Sequence, residues 1–281
     1  MSDMRIRTFT EQDIDFALVQ TGREGWDNTA AAFRVYLAHD PGGCFIAEID
    51  GRRAAMITTT RYAQSAWVGN LIVTPEHRRR GLGERMMKHA LAKLEESGVR
   101  AIYLEADPMG IGIYRRLGFV DHFVTPRFKK TSPHDAKPRE AERLDADGLD
   151  AVLELDARCF GEDRGALLRE FLGIASAAYC LRAGARVEAY AMALPALRGV
   201  RFGPCAAENP RAIELLVDAV LTDFPDKTVI AAVPEICRAA IQAFESRGFT
   251  HEEGCRRMIR GAAARAPSPE GIVALADGAT G

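Results

Sequence analysis

The chain has 281 residues, enough for one large hydrophobic core or two ordinary ones. Apolar residues make up 47% and charged residues 27%, as in ordinary globular proteins, and a formal net charge of −2 gives no overall field that would recruit nucleic acid. No apolar run reaches the roughly 18 residues of a membrane span. Because the amino terminus also lacks an apolar signal region, we expect a cytoplasmic protein with no membrane partner.

The first half of the chain predicts a mixed α/β domain. An alternating segment predicts a first strand, and Thr10 with Asp13 forms a weak capping box for the helix after it. Asn28 is placed to cap a second helix. An Asp-Gly hairpin and a strand over 68–73 follow, and then a helix, a strand, a short helix and a closing strand.

The second half repeats this order of elements and looks like a degenerate copy of the first. Residues 131–140 contain two prolines and no apolar anchor, so we place a linker there, between a domain over 1–130 and one over 141–281. The six cysteines show no C-x-x-C spacing and lie mostly in apolar surroundings, which favours buried free thiols.

A basic, glycine-rich turn joins the strand over 68–73 to the next helix. Its residues are Arg78, Arg79, Arg80, Gly81, Leu82 and Gly83. Backbone N–H groups at a helix N-terminus attract anions, and glycine lets a phosphate approach the backbone closely. A P-loop would need Lys-Ser or Lys-Thr here, and a dinucleotide-binding turn would need a third glycine where Met86 stands. An arginine cluster exposed to solvent ahead of an ordinary helix stays open as an alternative.

From this turn onward the sequence resembles the GNAT superfamily of N-acetyltransferases. The signature [RQ]-x-x-G-x-[GA] matches residues 78–83, and a Tyr-x-x-Leu-Gly-Phe type sequence occurs at 114–119. The clear resemblance covers residues 4 to about 125. The whole layout resembles tandem GNAT proteins, which implies two tandem GNAT-like acyl-CoA N-acyltransferase domains, the first active and the second degenerate. The tails of such proteins often carry a short apolar strand, and residues 271–275 are the candidate for it.

The resemblance implies acetyl-CoA as co-substrate, no metal, and a primary amine of a small molecule or peptide as acceptor. Backbone groups of the splayed strand would bind the pantetheine arm, and N–H groups of the turn, helped by the charge of Arg78, would bind the pyrophosphate. The implied binding residues are Leu71, Ile72, Val73, Arg78, Arg79, Arg80, Gly81, Leu82, Gly83 and Glu84. A non-catalytic acyl-CoA-binding regulatory protein is the alternative function.

Two residues are candidates for moving protons. By resemblance, Tyr114 stands where many GNAT enzymes keep a tyrosine near the leaving thiolate, and Glu105 at the end of its strand is our first choice of base. Packing and structural roles stay open for both, and Asp107, Glu48 or a water chain could serve as base instead. Many relatives carry an asparagine before the tyrosine helix, and the shorter segment 107–110 puts that cofactor contact in doubt.

Substrate selection in GNAT domains falls mainly to the loop between the first two helices. Trp26 and Asp27 lie there, and an aromatic wall beside a carboxylate suits a cationic amine. A loop anchor is an equally good explanation of Trp26. No residue pattern singles out one acceptor or an oligomeric state.

The second copy lacks the basic turn. The span from Gly203 to Gly248 is about four residues shorter than that from Gly69 to Gly118. In place of the turn it has Ala-Glu-Asn-Pro-Arg at 207–211, with a carboxylate, a proline and no glycine. Such a loop suits a pyrophosphate poorly, so we expect one working site, within residues 1–130.

Overall fold

The computed structural model describes residues 4–131, 133–134, 140–262 and 269–281. Two compact units divide the chain. Unit 1 comprises the described residues within Met1–Asp121, Met258–Ala264 and Gly278–Thr280, and unit 2 those within His122–Arg257 and Arg265–Asp277, with Gly281. The linker at 131–140 stays a prediction, and residues 132 and 135–139 lie outside the described residues.

Unit 1 has the predicted order of elements, and its mixed α/β fold is confirmed. The elements are β1 (Met4–Thr8), α1 (Ile14–Arg23), α2 (Ala30–His39), β2 (Phe45–Ile49), β3 (Arg52–Arg61), β4 (Ser65–Val73), α3 (Leu82–Glu96), β5 (Ala101–Ala106) and α4 (Ile111–Arg116). Strands β1 to β4 pair antiparallel in chain order, and β5 pairs parallel to β4. The hairpin turn is as predicted, since Asp50 and Gly51 both adopt positive φ, at 51° and 74°.

Unit 2 repeats the same order. Strand β6 (Val120–Lys130) follows α4 in the chain and spans the division between the units, as does the later strand β12, whose residues from Met258 onward belong to unit 1. The remaining elements are β7 (Glu142–Arg143), α5 (Asp150–Phe160), α6 (Gly165–Ile174), β8 (Ala177–Ala183), β9 (Arg186–Ala196), β10 (Gly199–Ala207), α7 (Pro210–Asp223), β11 (Val229–Ala232), α8 (Arg238–Glu245), β12 (Thr250–Gly261) and β13 (Ile272–Ala274). Strands β7 to β10 are antiparallel neighbours, β11 is parallel to β10, and β6 pairs antiparallel with β11.

The sheet of unit 1 has a separate apolar core on each face. Helix α3 is amphipathic and buries its apolar stripe, including Met86 and Leu91, against one face. Helices α1 and α2 cover the other face, where Phe33 and Tyr36 pack with residues of β2 to β4. A residue of the sheet can therefore be assigned to the α3 face or to the α1–α2 face.

The start of α2 differs from the prediction by one residue. Thr29 is the N-cap, and its Oγ1 accepts a hydrogen bond from the Ala32 N–H at 3.2 Å. Asn28 instead donates from Nδ2 to Oδ1 of Asn70 at 3.4 Å. Asparagine and threonine are both good caps, so local sequence did not separate the two positions.

A buried carboxylate ties the first helical turn to the sheet. Asp13 is fully buried and accepts hydrogen bonds from the Arg7 guanidinium at 2.7 and 2.8 Å and from Arg53 Nε at 2.6 Å. Burial alone would raise the pKa of Asp13, but the hydrogen bonds from Arg7, the Thr10 N–H and Arg53 outweigh it and hold the pKa well below its usual value.

Asp13→Asn is expected to lower the free energy of unfolding by about 3 kcal/mol, because both arginines then face a neutral amide. The carboxylate stabilises the fold fully above its unfolded pKa, ordinarily 3.8, and this contribution is lost as the pH falls through the lower folded value. Urea unfolding of both proteins should therefore show a full difference at neutral pH that shrinks below about pH 4.

Glu11→Gln is the matched control, since Glu11 pairs with Arg34 at 2.7 Å on the exposed surface. That change should cost less than about 1 kcal/mol. If Asp13→Asn lowers the free energy of unfolding by the same amount at neutral and at acid pH, the electrostatic explanation is wrong.

A chain that stops after Thr131 lacks the late segments of unit 1. Among them, Met258 is fully buried in the α3-face core, Arg260 pairs with Glu95 at 2.5 Å, and the Ala262 N–H donates to the Arg100 carbonyl at 3.1 Å. We expect this fragment to be insoluble or to melt well below the full chain, by circular dichroism and sedimentation. A monomeric fragment that melts with the full chain would refute this.

Candidate active site

Strand β4 separates from β5 halfway along its length. Their parallel pairing runs from Ser65 with Ala101 to Val68 with Leu104, whereas β4 continues to Val73. On its other edge the same end of β4 stays paired with β3. The described pairings thus leave the β5-facing edge of the last five residues of β4 beside a gap, where another extended chain can add to the strand.

A β-bulge lies where the gap begins. Asn70 and Leu71 together oppose Ile57 of β3, and Asn70 has φ 49°. The buried Asn70 side chain donates from Nδ2 to Thr58 Oγ1 at 3.0 Å, which fixes this conformation. A bulge bends its strand and increases the local twist, so this one accounts for the divergence of β4 from β5. Sequence reasoning missed Asn70, although Gly-Asn inside a β-branched run is typical of a bulge.

The basic turn has backbone dihedral angles that suit the binding of an anion. Arg79 and Gly81 both adopt left-handed conformations, with φ of 61° and 76°, and α3 begins directly after them. Alternation of this kind can direct successive N–H groups toward one point, as in the backbone nests that bind anions, and the N-terminus of α3 adds the positive end of a helix dipole at the same place. A Cβ on Gly83 would lie at ordinary contact distances, 3.6 Å from Val73 Cγ2 and 3.9 Å from Ile113 Cδ1, so a side chain that extends beyond Cβ would meet β4 and α4.

The side chain of Arg78 is held by protein groups. Its Nε donates to the Val73 carbonyl at 2.9 Å, and its guanidinium forms an ion pair with Glu24, the C-cap residue directly after α1. Glu84 pairs with Lys88 at 2.8 Å and Arg116 at 3.5 Å, and the hydrogen bond from Lys88 is the main cause of its lowered pKa. The side chains of Arg79 and Arg80 are exposed to solvent.

Glu105 and Tyr114 lie on opposite faces of the sheet. Ile102, Leu104 and Ala106 of β5 belong to the α3-face core, so the intervening Glu105 lies on the α1–α2 face. Tyr114 on α4 packs against the α3-face core and meets Phe119 edge-on at 6.1 Å. The structure therefore places a carboxylate on one face of the sheet and a phenol on the other.

The other candidates are dispersed around this region. Trp26 is half-buried against the α1–α2 core, and Asp27 follows it in the same loop. Glu48 accepts a hydrogen bond from Arg7 Nε at 2.8 Å, which commits it to an ion pair. The Asp107 carbonyl accepts from the Gly110 N–H at 2.9 Å, so the short segment before α4 forms a turn.

The corresponding gap in unit 2 is filled by the chain itself. Strand β10 pairs with β11 only from Val200 to Phe202. Beyond that point β13 pairs antiparallel with β10 at Cys205 and Ala206, and the Leu275 N–H donates to the Ala232 carbonyl of β11 at 3.0 Å. The short apolar strand predicted at 271–275 is confirmed, and its backbone bridges the two diverging strands.

Neighbouring residues of the chain also cap the start of α7 and pair with the charge beside it. Asn209 caps it by accepting from the Ala212 N–H at 2.8 Å, and Pro210 at the first helical position has no N–H to donate. Glu208 forms ion pairs with Arg158 and Arg186 just before the helix. An anion has little to bind here.

None of the helices in the described part of the chain is both long enough and apolar enough to cross a membrane. Within the same residues, no three His, Cys, Asp or Glu side chains come together as a metal would require. All six cysteines are described and buried as free thiols, as predicted.

Known proteins resemble both halves of the chain. A family model described as acetyltransferase (GNAT) family matches residues 9–119, and one described as acetyltransferase (GNAT) domain matches residues 152–272. A solved structure from Pyrococcus horikoshii has a TM-score of 0.86 and 22% identity, and covers 99% of this chain and 96% of that one. This similarity shows a shared fold.

Two curated relatives are named for their reactions. Holothin acyltransferase from Pseudoalteromonas sp. (strain SANK 73390) is 24% identical over 242 residues, 85% of this chain and 81% of that protein. The ribosomal protein bS18-alanine N-acetyltransferase of Escherichia coli (strain K12) is 29% identical over 86 residues, 30% of this chain and 58% of that protein. With GNAT models matching both halves, the chain belongs to the GNAT family of N-acyltransferases and carries two GNAT domains in tandem.

Proposed function

We propose that unit 1 transfers the acetyl group of acetyl-CoA to the primary amine of a small molecule or peptide by direct attack in a ternary complex. The observation that carries the proposal is the gap between β4 and β5, which leads into the N–H nest at the start of α3. An extended pantetheine arm can add to the edge of β4 in the gap, and a pyrophosphate can bind the N–H groups at the start of α3. The relatives named for acyl transfer favour an enzyme over a non-catalytic binding protein.

The cofactor-binding groups are proposed from this geometry. Backbone groups of Leu71, Ile72 and Val73 bind the pantetheine arm as an added strand would be bound. N–H groups from Arg79 through Glu84 bind the pyrophosphate, aided by the charge of Arg80 and its neighbours. The Arg78 side chain, tied to Glu24 and Val73, positions the turn and contributes charge only at its edge.

Acetyl-CoA supplies an activated acetyl group as a thioester. The amine nitrogen attacks the carbonyl carbon, so that a C–N bond forms and the C–S bond breaks. Glu105, on the α1–α2 face, accepts the proton that the amine loses, directly or through water. Tyr114, on the other face, donates its phenolic proton to the departing sulfur. Trp26 and Asp27 border the acceptor side and suit a cationic amine.

Gly83→Leu is expected to weaken acetyl-CoA binding about 100-fold or more, because the added atoms meet Val73 and Ile113 and push the first turn of α3 off β4. Calorimetric titration with acetyl-CoA measures the affinity, and thermal melting checks that the variant is folded. Gly173→Leu in α6 is the matched control, since an added Cβ there has no neighbour within 4 Å. Full affinity in a folded Gly83→Leu protein would show that the site is wrongly assigned.

Removing either proton-transfer group should slow turnover without weakening cofactor binding. Tyr114→Phe and Glu105→Gln are each expected to lower kcat about 100-fold with a panel of primary amines, measured as release of CoA thiol. Acetyl-CoA affinity should stay unchanged by calorimetry, and Glu96→Gln, which alters an exposed carboxylate of α3, should keep full activity. A wild-type protein that binds acetyl-CoA but releases no thiol with any amine would favour the non-catalytic function.

A further inference from the structure

A late segment of the chain lies inside unit 1. Residues Gly278–Thr280 belong to this unit, and Ala279 and Thr280 are buried. The phenol of Tyr62 donates to the Thr280 carbonyl at 2.6 Å. We call these three residues the tail wall. Because the tail wall is buried and hydrogen-bonded, it is a fixed part of the packed interior of the unit.

The tail wall fits against β4 only because residue 69 is glycine. An ideal Cβ built on Gly69 would lie 2.3 Å from Ala279 Cβ and 2.7 Å from Ala279 Cα. Neither atom belongs to a flexible side-chain end, so any larger residue at position 69 must displace the wall. Gly69 is the first residue of β4 beyond its pairing with β5, where the gap opens.

The same segment reaches the proposed base. A Cβ on Gly278 would lie 3.2 Å from Glu105 Cβ and 3.5 Å from its Cγ. Ala279 packs with the core of the α1–α2 face, the face on which Glu105 lies and against which Trp26 packs. The tail wall therefore borders the α1–α2 side of the gap, where we propose that the acceptor amine binds.

We propose that the tail wall limits the acceptor to small primary amines and excludes polypeptide N-termini. This inference rests on the proposed function. The backbone of Gly278–Thr280 fills the space next to Gly69 and Glu105, so a polypeptide acceptor that ran as an extended chain along the strands there would collide with it. A small amine needs only the volume between Glu105 and the thioester. The wall carries no charged side chain, so it selects by size.

The placement of the wall can be tested without turnover. Gly69→Ala should lower the melting temperature of the full chain, because the new methyl group collides with Ala279. In a chain that stops after Asp277 the same change should have little effect. Gly22→Ala in α1 is the control, since an added Cβ there meets nothing within 4 Å. Equal effects of Gly69→Ala in both backgrounds would overturn the placement.

The selectivity is tested with two probe amines, tyramine and a hexapeptide with a free N-terminal alanine. The full chain should prefer tyramine in kcat/KM. A chain that ends after Asp277 should shift the ratio of the two kcat/KM values toward the peptide by about 10-fold or more. If the shorter chain does not fold, Gly69→Ala, which displaces the wall, should shift the ratio in the same direction. Acetyl-CoA affinity, measured by calorimetry, should be retained.

The outcomes separate the two proposals. Turnover of both probes with an unchanged ratio, or a full chain that prefers the peptide, overturns the tail wall and leaves acetyl transfer intact. Failure of the full chain to bind acetyl-CoA or to release thiol with any amine refutes the proposed function itself. In that case the stability test of Gly69→Ala still decides where the segment lies.

Discussion

The proposed site depends on the bulge at Asn70 and Leu71. With two residues of β4 opposing one of β3, the strand twists away from β5, and pairing ends at Val68. The hydrogen bond from Asn70 to Thr58 holds a left-handed conformation that a non-glycine residue seldom adopts. One backbone irregularity thus produces the gap and directs the strand into the basic turn.

Local sequence was sufficient to predict most elements and the turn at 78–83, because strand, turn and helix signals each lie within a few residues. It misplaced the cap of α2 by one position, since two good capping residues are adjacent at Asn28 and Thr29. The tail wall could not be foreseen. Its hydrogen bond joins Tyr62 to Thr280, 218 positions apart, and no local pattern encodes such a contact.

The two units share a fold but differ at the gap between their diverging parallel strands, which is open in unit 1 and filled in unit 2. Both have a sheet whose central parallel pair diverges. In unit 2 the edge of β10 that diverges from β11 pairs with β13, so its backbone groups form hydrogen bonds without a ligand. The segment before α7 has no glycine and is poorly suited to a ligand. Without a ligand, an open gap would leave the backbone groups of β10 unpaired, and β13 pairs with them instead.

The burial of all six cysteines has a practical consequence. Burial raises the pKa of the Cys44 thiol to about 12 and that of Cys159 to about 11, and raises those of Cys180, Cys205 and Cys237. Thiolates are the species that attack disulfide reagents such as Ellman's reagent. In the folded protein these five thiols should therefore react slowly with such a reagent, so that a thiol released by the proposed transfer could be followed continuously in its presence.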